Sequence, residues 1–416
     1  MTTHMLRNLA LASAVAVSGL VAAAQAAGPL NTIIWNGSAA DGNWATPANW
    51  VGGVIPTMTD ATNMDNNSAL VFGASGTNTT VSTLPVIYPG SDCVYGMTFN
   101  SFMGSNPVTI TNDNNALFRI GSGGITVDSG APAVTFNFTN LSSAVRIMNN
   151  QTWTNNSSNP LTFSVATFNL QYPGGSNTTL TIDGTGDISL PTGFYSNTTS
   201  TYGTVVKNGN GTLYIGQGYP GYGTGGTPAI TVNTGTVWVN GRSSVMPIGT
   251  YTVNATGNLI FDNTALGYNG IAPAVPTITN TTAGGKVTFQ GNNAYSANSA
   301  ANINLGSTGT INVYGNRELF YLTSALTAGN FTVGGSSTSS NGELWIARNI
   351  STAGIASSTF TLGNAAGRGV LMVYQGGSST TYTIPNVVVP ATMSGAVGQS
   401  DASNNVAVTV TNLTLG

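Results

Sequence analysis

The sequence predicts an all-β chain wound into a β-solenoid, and three observations carry that prediction. Short runs alternate apolar and polar residues and are rich in β-branched side chains. Asn and Gly punctuate the runs. The punctuation recurs about every 26 residues, a period that marks stacked supersecondary units.

The strands come first. "LTIDGTGDISL", "TVVKNGNGTLYIGQG", "ITVNTGTVWVNG", "YTVNATGNLIFDN", "INLGSTGTINVYGN", "GELWIARN" and "GRGVLMVYQGG" share one form. Each is an alternating run, an Asn/Gly step and a second alternating run, which is the period-two signature of strand and turn. No long segment with a helical period follows Ala26.

The turns come next. Gly186, Gly211, Gly235, Gly257, Gly285, Gly309, Gly342 and Gly369 lie at or beside successive turns. Their spacing is fairly even, with the longest step between Gly309 and Gly342. A propeller blade needs about 40–45 residues, so the period suits a solenoid coil of two or three short strands instead. From about residue 100 this predicts roughly 12 coils and a body ~58 Å long, at ~4.8 Å per coil. Inward positions are the alternating apolar ones, such as Leu213 with Ile215 and Val237 with Val239. Gly211, in an Asn-Gly step, is expected to need a positive φ. The stretch around it is not a phosphate loop. Lys207 precedes the glycines, and a strand, not a helix, follows them.

Composition narrows the function. Gly supplies 54 of 416 residues, charged residues only 5% and hydrophobic residues 41%. There is enough apolar material for a core, while Asn, Ser, Thr and Gly must supply the surface. Residues 1–26 read as a secretory signal peptide. Arg7 is followed by an apolar run, and Ala24-Gln25-Ala26 forms the cleavage signal. No later segment is apolar enough to span a membrane. Cleavage removes the sole histidine, His4, and takes Arg7 from the 9 basic residues, leaving 8 against 12 acidic ones. So few cations give no footprint for nucleic acid. Cys93 is the only cysteine, so no internal disulfide forms. A buried small hydrophobe is expected, with an intermolecular bridge as the alternative.

At two places the chain resembles the autotransporter-associated β-strand repeat family. One is Lys207, Gly209-Asn210-Gly211-Thr212-Leu213, Ile215-Gly216, the run "GYPGYGTGGT" and the pair "ITVNTGTVWVNG". The other is "IIWNGSAADGNWATPANWVGGVIPTMTDATNM", with Trp35, Trp44, Asn49-Trp50, Gly53, Pro56 and Asp60 in the expected order. The resemblance covers roughly residues 30–72 and 180–260. It implies a right-handed parallel β-helix, exported and displayed at the surface of a Gram-negative-type cell. Such proteins usually end in an outer-membrane barrel or a short basic sorting tail. This sequence ends "NNVAVTVTNLTLG", so release, non-covalent retention or truncation is expected.

Catalytic chemistry finds little support in the residues. Without histidine, no His-dependent triad or His-built zinc site is possible in the processed chain. Asp183 and Asp187 are the nearest carboxylate pair, and ~13 Å would separate their Cα atoms on a straight strand. Turn-capping is the expected role for both. Asp60, Asp65 and Asn66-Asn67, and separately Asn112-Asp113-Asn114, could ligate Ca²⁺, but neither has EF-hand spacing. Ordinary turns are expected there. Arg317-Glu318 and Glu343 with Arg348 are read as solvated surface pairs. Trp35, Trp44 and Trp50 could stack on a glycan, but the favoured reading makes them a plug for the open end of the solenoid, which needs a cap.

The expected organisation is therefore signal peptide 1–26, N-terminal cap and first coils 27–100, and solenoid 101–416. The expected role is structural, an adhesin or fibre subunit. Its partner is another copy of itself or a surface polysaccharide, with no catalytic residue, metal or cofactor. The rival is a carbohydrate-active enzyme or glycan-binding module on the same fold.

Overall fold

The structure is a computed structural model of the chain. It describes residues 28–60, 62–73, 91–103, 105, 107–111, 117–138, 144–165, 167–170, 178–191, 194, 203–216, 228–240, 250–262, 277–291, 295–297, 303–315, 318–322, 326–335, 341–347, 355–374, 381–399 and 407–416. The expected signal peptide, with Ala24 and Ala26, lies outside them.

One ladder defines the architecture. Val108, Val134, Leu161, Ile188, Leu213, Val237, Leu259, Val287, Ile311, Phe331, Phe360, Val387 and Leu413 pair in succession, every step parallel. Between Val108 and Leu413 the pairing passes unbroken from coil to coil. Parallel neighbours so regularly separated in sequence require the chain to circle back once per step, so the chain is a β-solenoid. Each residue of the ladder except Leu413 is buried. The alternation that marked the strands thus sorts side chains into an apolar interior and a polar exterior.

A second ladder runs beside it, from Thr32–Trp35 through Ala69–Phe72 and Ser91–Phe99 to Leu117–Val127. It continues through Gln151–Asn155, Thr179–Gly184 and Thr204–Lys207 into Ala229–Asn240. A separate five-stranded sheet holds Tyr295–Ala297, Glu318–Leu322, Asn341–Ala347, Arg368–Tyr374 and Gly395–Gln399. Aromatic rings stack between coils within the core. Phe72 lies on Phe99 at 4.8 Å, Phe136 on Phe163 at 4.6 Å, Phe261 on Phe289 at 5.3 Å and Phe331 on Phe360 at 4.6 Å.

The glycine series has a structural reason. Gly186, Gly211, Gly235, Gly257, Gly285 and Gly309 each sit two residues before a buried member of the main ladder. Two corrections follow. The glycine after Gly309 on this line is Gly329, whose N–H donates to Gly309 O at 3.0 Å. Gly342 and Gly369 occupy the same relative place before Leu344 and Leu371, but on the five-stranded sheet. The long step from Gly309 to Gly342 is a change of sheet. Gly235 and Gly257 are also not in turns. They are register partners inside the long strands Ala229–Asn240 and Thr250–Asp262, beside an irregularity between Val232 and Thr234.

Gly211 does not adopt the left-handed conformation expected of it. Gly184 (φ 95°), Gly209 (φ 62°) and Gly235 (φ 68°) do. Gly211 is needed for space instead, since a Cβ there would lie 2.1 Å from the Gly186 carbonyl oxygen. Coils stack too closely at this corner for any side chain.

Candidate functional site

Four features of the fold bear on function. The first, at the N-terminal end, is the tryptophan cluster. Trp35 meets Trp50 edge to face at 4.9 Å, Trp44 meets Trp50 at 5.9 Å, and Phe72 lies under all three. Trp50 Nε1–H donates to Trp44 O at 2.7 Å. The segment between Trp35 and Trp50 is folded over these rings by the buried Asn49. Its Oδ1 accepts from Ala39 N at 2.9 Å, its Nδ2 donates to Asn43 O at 2.9 Å and to Asp41, and its backbone O accepts from Asn36 N at 2.8 Å. The three rings are buried to within 1% of complete. They cover the first coil and offer no face to a sugar.

The second feature is the Lys207 corner, within the phrase that resembled the repeat family. Alternation in "TVVKNG" places Val205 and Lys207 inward together, and both are buried. The Lys207 ammonium donates to Gly209 O at 2.7 Å and to Asn208 O. It thus satisfies carbonyls at the glycine turn. Burial draws its pKa down to about 8, opposed by the charges of Asp183 and Asp187. Those aspartates also serve the turns. Asp183 Oδ1 accepts from Gly184 N at 2.7 Å, and Asp187 Oδ1 accepts from Thr212 N of the next coil at 2.9 Å. Alternation carries the signal for the burial of Lys207, which the glycine phrase around it obscures.

Asp60 follows the same turn chemistry. Its Oδ1 accepts from Thr62 N, Thr62 Oγ1 and Asn63 N, and its Oδ2 accepts from Asn66 Nδ2. Those bonds, that from Asn66 foremost, hold its carboxyl well below the usual range. Asp65 accepts from Ser122 Oγ at 3.1 Å. Among the described residues, no group of three or more His, Cys, Asp or Glu side chains converges as a metal site would require. Asn112-Asp113-Asn114, Arg317 and Arg348 lie outside the described residues. Cys93 is a buried thiol outside any disulfide.

The third feature is an aromatic pair on the outer face. Tyr214 and Trp238 are register partners on adjacent coils, with ring centroids 5.8 Å apart. Tyr214 is exposed and Trp238 partly so. Each lies three residues after a glycine of the repeat series, Gly211 and Gly235, so the repeat itself aligns them.

The fourth feature is the last coil. Strand Ala407–Leu415 pairs with Thr381–Val389. Among the described residues nothing pairs with its other edge. Leu413, in the core ladder, is 59% exposed, and Leu415 is 71% exposed. Between the ends the exterior is polar and mostly uncharged. Asn254 donates to Asn233 at 2.7 Å, and Asn233 to Asn208 at 2.9 Å, in a ladder running coil to coil. No helix among the described residues is long and apolar enough to cross a membrane.

No family model, no curated protein and no solved structure matches the chain.

Proposed function

We propose that this chain is an exported, non-enzymatic structural protein that adds to further copies of itself end to end, as a fibre or adhesin subunit at a cell surface. The observation that carries the reading is the parallel ladder, unbroken from coil to coil between Val108 and Leu413 around a core of stacked aromatic rings. The strand edges of such a stack can pair with the edge of another chain. Joining two different ends makes a head-to-tail contact that need not close, so repetition gives a filament. The uncharged Asn and Thr exterior and the secretory pattern of residues 1–26 support the same reading.

The test is sedimentation and electron microscopy of purified Ala27–Gly416, beside the double variant Leu413→Lys, Leu415→Lys. The expected result is concentration-dependent polymers for the first and monomers of unchanged dichroism for the second. A monodisperse wild type at high concentration removes the assembly reading. N-terminal sequencing of the protein from culture should begin at Ala27 if export and cleavage occur as read.

One observation favours a second reading, glycan binding. Tyr214 and Trp238 form an outward aromatic platform two coils long, and such rings can stack on sugar faces. Trp238→Ala should then abolish binding to a surface polysaccharide while assembly persists.

A further inference from the structure

A polar ladder crosses the outer face of the early coils. Cys93, Arg119, Arg146 and Asn169 are successive register partners on four neighbouring strands. Their flanking residues Val94, Phe118, Ile120, Val145, Ile147 and Phe168 are buried. The two arginines therefore sit one strand spacing apart, ~4.8 Å between backbones.

Their hydrogen bonding is incomplete. Arg119 is only 8% exposed, and its Nη1 donates to Cys93 Sγ at 3.9 Å. Its Nε has no partner, nor has the Nε of Arg146, and the buried Asn169 Oδ1 also has none. Among the residues whose side chains are described, which leave out Asp92, no carboxylate bonds to either guanidinium. Burial lowers the Arg146 pKa, and the charge of Arg119 lowers it further. A buried cation without a counter-charge is strongly unfavourable, and two on adjacent strands repel each other as well.

We propose that Arg119 and Arg146 form an oxyanion-binding site for a doubly charged sulfate or phosphate group. The guanidinium fork matches a tetrahedral oxyanion with paired N–H donors. Two negative charges compensate both arginines, whereas a single carboxylate leaves one unbalanced. Arg146, partly exposed, provides the way in. The two charges come either from one free dianion or from neighbouring sulfate esters on a sugar, which carry one charge and three terminal oxygens each and so supply one ester per arginine.

The test is calorimetric titration of the purified full chain with sodium sulfate, sodium phosphate, a sulfated dextran oligosaccharide and unsulfated dextran. Chloride holds ionic strength constant, which separates site binding from the general stabilisation that sulfate and phosphate give. Wild type should show saturable one-to-one heat with sulfate or phosphate and none with unsulfated dextran. Arg146→Gln should weaken binding at least tenfold. Arg146→Lys, which keeps charge but loses the fork, should fall between them and decides the matter if the glutamine variant does not fold. Tighter binding of the sulfated oligosaccharide than of sulfate identifies an ester ligand, and equal binding a free ion. The proposal is overturned by an absence of saturable heat in wild type, or by unchanged affinity in the Arg146 variants. It is also overturned if Asp92→Asn or Asp113→Asn creates binding that wild type lacks, since the arginines would then be neutralised within the chain.

Discussion

Lys207 is the register partner of Ile182 on one side and of Val232 on the other. A lysine therefore fills an inward position that its neighbouring coils fill with aliphatic side chains. Its stem packs in the ladder while its ammonium caps the carbonyls of Asn208 and Gly209. The corner that looked like a glycine motif is a buried cation closing a turn.

This placement makes stability depend on alkaline pH. The folded Lys207 pKa, about 8, lies below its ordinary 10.5. Between those values the unfolded chain binds more protons than the folded one, so stability rises with pH through that window. Burial raises the Tyr251 and Tyr314 pKa values, so stability falls again once unfolded tyrosines ionise, above about pH 10. Melting temperature should peak near pH 10, and Lys207→Met should remove the rise between pH 8 and 10. An identical profile in the variant would refute the buried-ammonium account.

An acid limb is expected from the cap. Asp60 and Asp41 are both held below the ordinary carboxylate range by hydrogen bonds. Their contribution is complete above about pH 4 and is lost as pH falls through the lower folded values. Tryptophan fluorescence should change as the cap loosens on acidification below about pH 4, and Asp60→Asn should flatten that change.

Glycines should divide by mechanism. At Gly52 (φ 80°) an added Cβ meets nothing within 4 Å, so Gly52→Ala should cost about 1 kcal/mol from backbone strain alone. At Gly211 the Cβ would strike the Gly186 carbonyl, and relief requires separating two coils. Gly211→Ala should cost more than about 3 kcal/mol, the range of severe overpacking. Equal melting temperatures for the two variants would show that the corner yields easily.

Phe163 stacks on Phe136 at 4.6 Å and on Trp153 at 4.5 Å. Phe163→Ala should destabilise by about 3–5 kcal/mol, since the interrupted stack leaves a cavity in the core. Chemical denaturation of the purified protein measures this directly.

The sequence by itself determined the fold class, the inward positions and the coil period. Each of these follows from local rules: alternation assigns faces, and glycine marks the corner two residues before the next inward side chain. Leu213, Ile215, Val237 and Val239 were legible on that basis and are all buried. Tertiary structure alone decided which residues one coil apart meet. A partner a full coil away leaves no local trace, because the length of each return varies. Phe331 follows its partner Ile311 much sooner along the chain than Phe360 follows Phe331. That is why the Arg119–Arg146 stack and the move of Gly342 to another sheet were hidden, whereas the Tyr214–Trp238 pair follows the Gly211–Gly235 spacing. The same reason placed Lys207 among aliphatic neighbours, since its burial depends on Ile182 and Val232 stacking on either side of it.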